Sequence, residues 1–267
     1  MSEEATILAS AAPLTRDALV RSLADAGVRE GMTLFVQSSL SSLGWVCGGA
    51  VTVIDALADA VGDDGTIVMP SMAADISEPR YWRHPAVPEE WWDTIRRAMP
   101  PFDPEKTPTR GLGAVAETFR SWPGVLRSTH PLCALAARGR LAADIIGEHR
   151  LSFGLGRDTP LERCVDAGGC ALLIGTLRNT TLHLSEYRAA CKKTVQQQGA
   201  PVIENGSRVW KQYEEYNDMS DMFPGILKDY VHQHPECEVR IGNARSFFFV
   251  QKHMVEYGAR WLEDHLY

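Results

Sequence analysis

Apolar positions recur at helical spacing over residues 15–26 and stop at Gly27, which suits the left-handed turn after a helix. Residues 33–38 read instead as a strand that runs into a loop of serine, glycine and tryptophan. The helical period returns over 51–61, the Gly62-Asp63-Asp64-Gly65 turn follows, and residues 66–72 read as a second strand. A strand–loop–helix–strand order predicts a parallel, right-handed crossover. Further on, the pattern predicts helices near 89–99, 111–121 and 141–148 and a strand at 132–137. The apolar run Ala171-Leu172-Leu173-Ile174-Gly175 reads as a buried strand, followed by a helix over 182–190. Asn205-Gly206 between 200–203 and 208–213 predicts a hairpin. A helix near 221–232, a strand at 239–241 and a closing helix over 249–265 complete the pattern. These elements predict a layered α/β/α fold with a mixed, partly parallel sheet and a C-terminal β-hairpin plus helix.

Residues 73–109 break the alternation. They hold Pro79, Pro85, Pro88, Pro100, Pro101, Pro104 and Pro108, with Trp82, Trp91 and Trp92. Long irregular excursions of this kind are often binding loops. No linker divides the chain, so 1–267 is expected to be one domain carrying this excursion.

Composition narrows the class. The chain has 267 residues, 45% hydrophobic and 23% charged, as in an ordinary globular protein. A net charge of -7 and the lack of a basic patch argue against a nucleic-acid role. No apolar run is long enough to cross a bilayer, and the first residues have no basic n-region, so a cytoplasmic protein without a membrane partner is expected. Cys47, Cys133, Cys164, Cys170, Cys191 and Cys237 include no CxxC pair, which points to reduced thiols.

The candidate chemistry centres on residues 179–186, Asn-Thr-Thr-Leu-His-Leu-Ser-Glu. Thr180 or Thr181 is suited to cap the helix, and His183 and Glu186 then share one face within touching distance. The helix dipole at its first turn favours the neutral imidazole, and the carboxylate pulls the other way and fixes the tautomer. A neutral imidazole held by an acid is a general base near pH 7. The loop from Gln37 to Gly49 offers hydroxyls and open backbone N–H groups suited to a phosphate or a pantetheine arm, although it is equally readable as a turn capping its own helix. His130, ahead of Pro131, reads as a second active-site polar group or as a satisfied buried side chain. Asp75 and Asp103 in the excursion and Asp221 in a later acidic cluster are expected to attract a polyamine. There is no HExxH and no third acid at a metal-ligand spacing, so no metal is expected; there is no GxSxG nucleophile elbow either.

Blocks along nearly the whole chain carry a family resemblance. They are Ser38-Ser39-Leu40 through Gly44 with Gly48-Gly49-Ala50, then Gly65-Thr66-Ile67-Val68-Met69-Pro70, Phe102-Asp103-Pro104, Thr107-Pro108-Thr109, Arg127-Ser128, His130-Pro131, Leu172-Leu173-Ile174-Gly175 and 179–186. In this the chain resembles the aminoglycoside 3-N-acetyltransferases, a family distinct in fold from the GNAT enzymes. The resemblance implies acetyl-CoA as co-substrate and a small-molecule amine as acceptor. It implies coenzyme contacts from Ser38, Ser39, Leu40, Ser41, Ser42 and Gly44, with Arg127 and Ser128. It also implies base chemistry by His183 with Glu186, in direct attack of the amine on the thioester. Asn179, Thr180, Thr181 and the helix N-terminal amides are the expected donors to the developing oxyanion. Two departures stand out. Gln37 occupies a position where the family usually has histidine, and Thr176-Leu177-Arg178 is shorter than the usual loop, lacks its acid and places a cation near the base. A different amine acceptor, a different acyl chain and a catalytically weak coenzyme-binding protein stay open as alternatives. A homodimer is compatible with the sequence, which shows no partner face.

Overall fold

Strands buried on both faces must be apolar throughout, and three of them set the frame of this protein. The computed structural model describes residues 3–266. After α1 (Glu3–Leu8) and α2 (Arg16–Asp25) comes β1 (Thr33–Ser38), whose first four residues are buried. A serine-rich loop leads to α3 (Gly49–Val61) and the fully buried β2 (Thr66–Pro70). The proline-rich excursion follows and contains α4 (Trp92–Ala98). Then come α5 (Gly113–Arg120), β3 (Leu126–Arg127), β4 (Leu135–Gly139), α6 (Ala142–Ile146), α7 (Pro160–Asp166) and the fully buried β5 (Cys170–Ile174). The chain continues through α8 (Leu182–Arg188), the hairpin β6 (Val195–Glu204) and β7 (Ser207–Tyr216), α9 (Phe223–Gln233), β8 (Glu238–Ile241), β9 (Ala244–Val250) and α10 (Gln251–His265).

Seven strands form one mixed sheet in the order β3-β4-β2-β1-β5-β9-β8. β1 pairs in parallel with β2 and with β5, and the outer pairings are antiparallel. Alternation along β1 sorts the core into layers. Leu34 and Val36 face α2, α3 and α5, whereas Phe35 faces α6, α7, α8 and α10. On that second side Ala171, Leu173, Phe247 and Phe249 pack against α8, α9 and α10. Helices therefore cover both faces, and the α/β/α expectation holds.

The differences from the sequence pattern are local. The stretch 244–250 is a strand, so the closing helix begins at Gln251 and not at 249. Phe247 and Phe249 face one layer and Phe248 the other, the period of a strand. The predicted hairpin is present, with Asn205 and Gly206 both at positive φ (49° and 77°), but each arm is ten residues long. The short helices α1 and α7 were not read from the sequence; α7 opens on Pro160 at its first turn. All six cysteines are free, and four are buried. No helix among the described residues is long and apolar enough to cross a membrane.

Candidate active site

Parallel pairing of β1 with β2 and β5 brings their carboxyl ends together, which is where open α/β sheets gather ligands. A cleft of about 710 Å³ opens there, lined among others by Gln37, Gly113, Gly175 and Arg178. Five of the six loop residues expected to meet the coenzyme, namely Ser38, Ser39, Leu40, Ser41 and Gly44, line it. The sixth, Ser42, does not; its hydroxyl donates to the Ser39 carbonyl (2.6 Å), and no serine side chain of the loop caps the helix that follows it. Close approach of the two loops requires glycine at 175, where φ is +61° and a Cβ would collide with the Ser42 side chain.

The His183–Glu186 pair forms as the spacing predicts. His183 Nδ1 lies 2.7 Å from Glu186 Oε2, and Glu186 Oε1 accepts the Met219 N–H at 2.9 Å. Glu186 is 4% exposed at its side chain and His183 21%, with the imidazole edge-on to Phe223. Nδ1–H donates to the carboxylate, which leaves the Nε2 lone pair as the basic face. Burial pushes the imidazole pKa down, but the charge and hydrogen bond of Glu186, aided by Asp218 and Glu215, outweigh it and the net direction is upward. His183 is not among the cleft-lining residues; a short bonded path connects them. Gln37 Oε1 accepts the Thr180 N–H (2.7 Å), and the Thr180 carbonyl accepts the His183 N–H (3.1 Å).

The donors expected around the base are arranged otherwise. Thr181 has helical dihedrals (φ -56°, ψ -34°), its side chain does not cap α8, and its hydroxyl accepts from Gln251 Nε2 (2.9 Å). The amides of Leu182, His183 and Leu184 are consumed by the carbonyls of Asn179, Thr180 and Thr181. Asn179 is 2% exposed, with Oδ1 on the Thr181 N–H and Nδ2 enclosed without a partner. Asn179 and Thr181 are buried, neither lines the cleft, and the first amides of α8 are bonded, which corrects the reading of Asn179 and Thr181 as oxyanion donors.

Arg127 and Ser128 are likewise committed elsewhere. The Arg127 guanidinium donates to the carbonyls of Ser71, Pro104 and Thr107 and stacks over Phe102, tying the excursion to the end of β2. Burial lowers its pKa to about 10. Ser128 is buried, accepting from Leu135 N and donating to His149 Nδ1. Neither residue lines the cleft. Arg127→Met is expected to cost about 3 kcal/mol, because it strands carbonyls in a half-buried site at about 1–3 kcal/mol each. Urea unfolding measures this, and the KM for acetyl-CoA is expected to stay put.

The three acids expected to hold the amine do not join the His183 pair. Asp75 and Asp103 line a separate depression of about 960 Å³ beside the hairpin residue Ile203. There Asp75 pairs with Arg110 (3.4 Å) and Asp103 with Lys106 (3.2 Å). Asp103 Oδ1 also accepts the backbone N–H groups of Glu105 and Lys106, which hold its carboxyl below the usual range. Asp221 lies exposed on the short turn Ser220–Met222.

Two further residues stand out in this geometry. Asp218, exposed, has ligand-type atoms in one group with His183 and Glu186, all within 4.8 Å of one another. The sequence showed an acidic cluster here; only the packing of the 217–222 segment against α8 selects 218 over 221. The carboxylate oxygens of Glu186 and Asp218 accept hydrogen bonds from Met219, His183 and Ser220, and the three residues are close enough together to hold a cation. Gln37 is the second, bridging the cleft wall to α8.

Comparison with known proteins assigns the family. The family model for aminoglycoside 3-N-acetyltransferase matches residues 35–263. The SPbeta prophage-derived aminoglycoside N(3')-acetyltransferase-like protein YokD of Bacillus subtilis (strain 168) is 41% identical over 252 residues, covering 93% of this chain and 92% of its own. Its crystal structure superposes with a TM-score of 0.95 at 38% identity, over 98% of this chain and 97% of that one. The structure of AAC-IIIb as a binary complex with CoASH matches at a TM-score of 0.84 and 30% identity, covering 94% and 97% of the two chains. AAC-VIa bound to sisomicin matches at 0.84 and 29%, covering 96% and 99%. With a family match over most of its length and relatives above 30% identity along nearly all of it, this chain belongs to the aminoglycoside 3-N-acetyltransferase family of antibiotic-modifying enzymes.

Proposed function

We propose that this protein transfers the acetyl group of acetyl-CoA to an amino group of an aminoglycoside, with His183 as the general base. The observation that carries the reading is the His183–Glu186 bond: it fixes Nδ1 as donor and leaves Nε2 basic, on a partly exposed ring whose own backbone N–H is bonded through Thr180 and Gln37 to the cleft wall. Relatives crystallised with CoASH and with sisomicin support the two ligand classes. In this scheme the amine lone pair attacks the thioester carbon and the carbonyl electrons move onto oxygen. Nε2 of His183 takes the proton from nitrogen. Collapse of the adduct breaks the C–S bond, and the thiolate recovers that proton, giving an amide and free CoA thiol. Cleft and base hold the reactants together, which makes the attack effectively unimolecular. The exposed Asp218 carboxylate is placed to hold a second ammonium of a polyamine.

Thiol release from acetyl-CoA across an aminoglycoside panel tests the reading directly; no release with any of them overturns it. The pH profile tests the base. Because the Glu186 carboxylate favours the imidazolium, the basic form dominates only above the ordinary value of 6.5. The acid limb of kcat/KM is therefore expected above 6.5, rising with pH. Glu186→Gln removes the charge that raises the value and is expected to move that limb to lower pH.

A second reading keeps the transfer and changes the acceptor. Arg178 is the only basic side chain among the described residues that line the cleft; it is exposed, and its guanidinium donates to the Gly111 carbonyl at 3.4 Å. Such a cation suits the coenzyme phosphates, or an amine that itself carries an anionic group. Release of thiol with amines of that kind, and none with aminoglycosides, would select this reading.

A further inference from the structure

We propose that Gln37 is a catalytic residue, its Nε2 donating to the thioester carbonyl oxygen as that oxygen becomes an oxyanion. The proposal rests on the acetyl-transfer reading above. The orientation of the carboxamide follows from its partner. A backbone N–H can only donate, so the Thr180 N–H fixes the Gln37 oxygen toward itself, at 2.7 Å, and turns Nε2 away from α8. Nε2 has no hydrogen-bond partner among the described residues and is not enclosed; the side chain is half-buried and lines the cleft. A donor with a locked orientation and no partner is what an oxyanion site needs, since it costs no reorganisation when charge develops. Its position fits as well. Thr180 takes the Gln37 oxygen on its N–H and the His183 backbone N–H on its carbonyl, so the main chain that anchors Gln37 also leads into the first turn of the helix that carries the base. Asn179 Nδ2 is enclosed and the first amides of α8 are bonded, so neither competes for this role. In the attack step the carbonyl π electrons move onto oxygen, Nε2–H stabilises that charge, and no proton leaves Gln37.

Gln37→Glu separates donation from anchoring, because a carboxylate still accepts from Thr180 N–H but cannot donate. Removal of one such donor costs about 10²- to 10³-fold in kcat. The expected result is a loss of that size with the KM for acetyl-CoA and the thermal midpoint near wild type. A spectroscopic readout stands beside it. With acetyl-CoA labelled at the carbonyl carbon and no acceptor present, the bound C=O stretch is expected lower in wild type than in water and higher in Q37E than in wild type. A Q37E enzyme with wild-type kcat, or a wild-type band no lower than the aqueous one, overturns the proposal. The second measurement stands even if Q37E does not fold. Absence of any thiol release by the wild type is a different outcome, which overturns the acetyl-transfer reading itself.

Discussion

His183→Ala is expected to lower kcat by about 10²- to 10⁴-fold, the usual worth of a positioned general base. The KM for acetyl-CoA is expected to change little, because the ring does not line the cleft that the coenzyme would fill. Loss of kcat and of kcat/KM in equal measure would mark an interaction made only in the transition state. Folding is a weaker concern at this position than at most buried sites. The ring is partly exposed, so water can reach Glu186 Oε2 once the imidazole is gone, and Oε1 keeps its bond from Met219 N. Near-wild-type thermal melting alongside lost turnover is therefore the expected combination. Wild-type turnover in this variant would remove His183 from the chemistry and leave the Glu186 bond as a structural one.

The sequence shows this pair because its signal is local. A histidine and a glutamate one helical turn apart meet whenever the helix forms, and β5 followed by 179–186 is enough to predict the helix. The buried central strands were legible for the same reason, since burial on both faces leaves only apolar residues. What was not legible depends on distant packing. Gln37 and Thr180 are 143 residues apart and meet only because β1 lies beside β5. Asp218 is chosen over Asp221 by the way the segment after β7 folds onto α8. Arg127 and Asp103 carry charges that sequence reasoning sends to a ligand, yet each is consumed by backbone groups of the excursion. A charge read along the chain says nothing of which carbonyl or amide will claim it. His130 went the other way: the satisfied, buried alternative is the one the fold adopts.

That burial gives the second large expectation, a loss of stability in mild acid. His130 Nδ1 accepts the N–H groups of Leu132 and Cys133, and Nε2–H donates to the Leu151 carbonyl. His149 accepts from the Ser128 hydroxyl at Nδ1 and donates to the Gly154 carbonyl from Nε2. Both rings are thus neutral; protonation of His130 would set N–H against N–H, and at His149 it would force the Ser128 hydroxyl to turn from donor to acceptor. Burial lowers His130 to about 4; for His149, burial and then the His130 ring 4.8 Å away lower it to about 3. The unfolded chain titrates near 6.5, so above that pH neither state holds the protons and nothing is lost. Below it the unfolded chain takes up protons that the native state refuses, and stability falls until the native values are reached. One unit is worth about 1.4 kcal/mol, so between pH 6.5 and 5 each ring costs about 2 kcal/mol, or about 4 together. His183 has the opposite sign, but its native value lies above 6.5, so its contribution has already levelled off in this window. Urea unfolding at pH 7 and pH 5 measures the drop. His149→Gln, which cannot titrate, is expected to remove about half of the difference while itself lowering stability at both pH values. A pH-independent midpoint from 7 to 5 in the unaltered protein would mean that these two rings accept protons in the native state, against the hydrogen bonds that hold them.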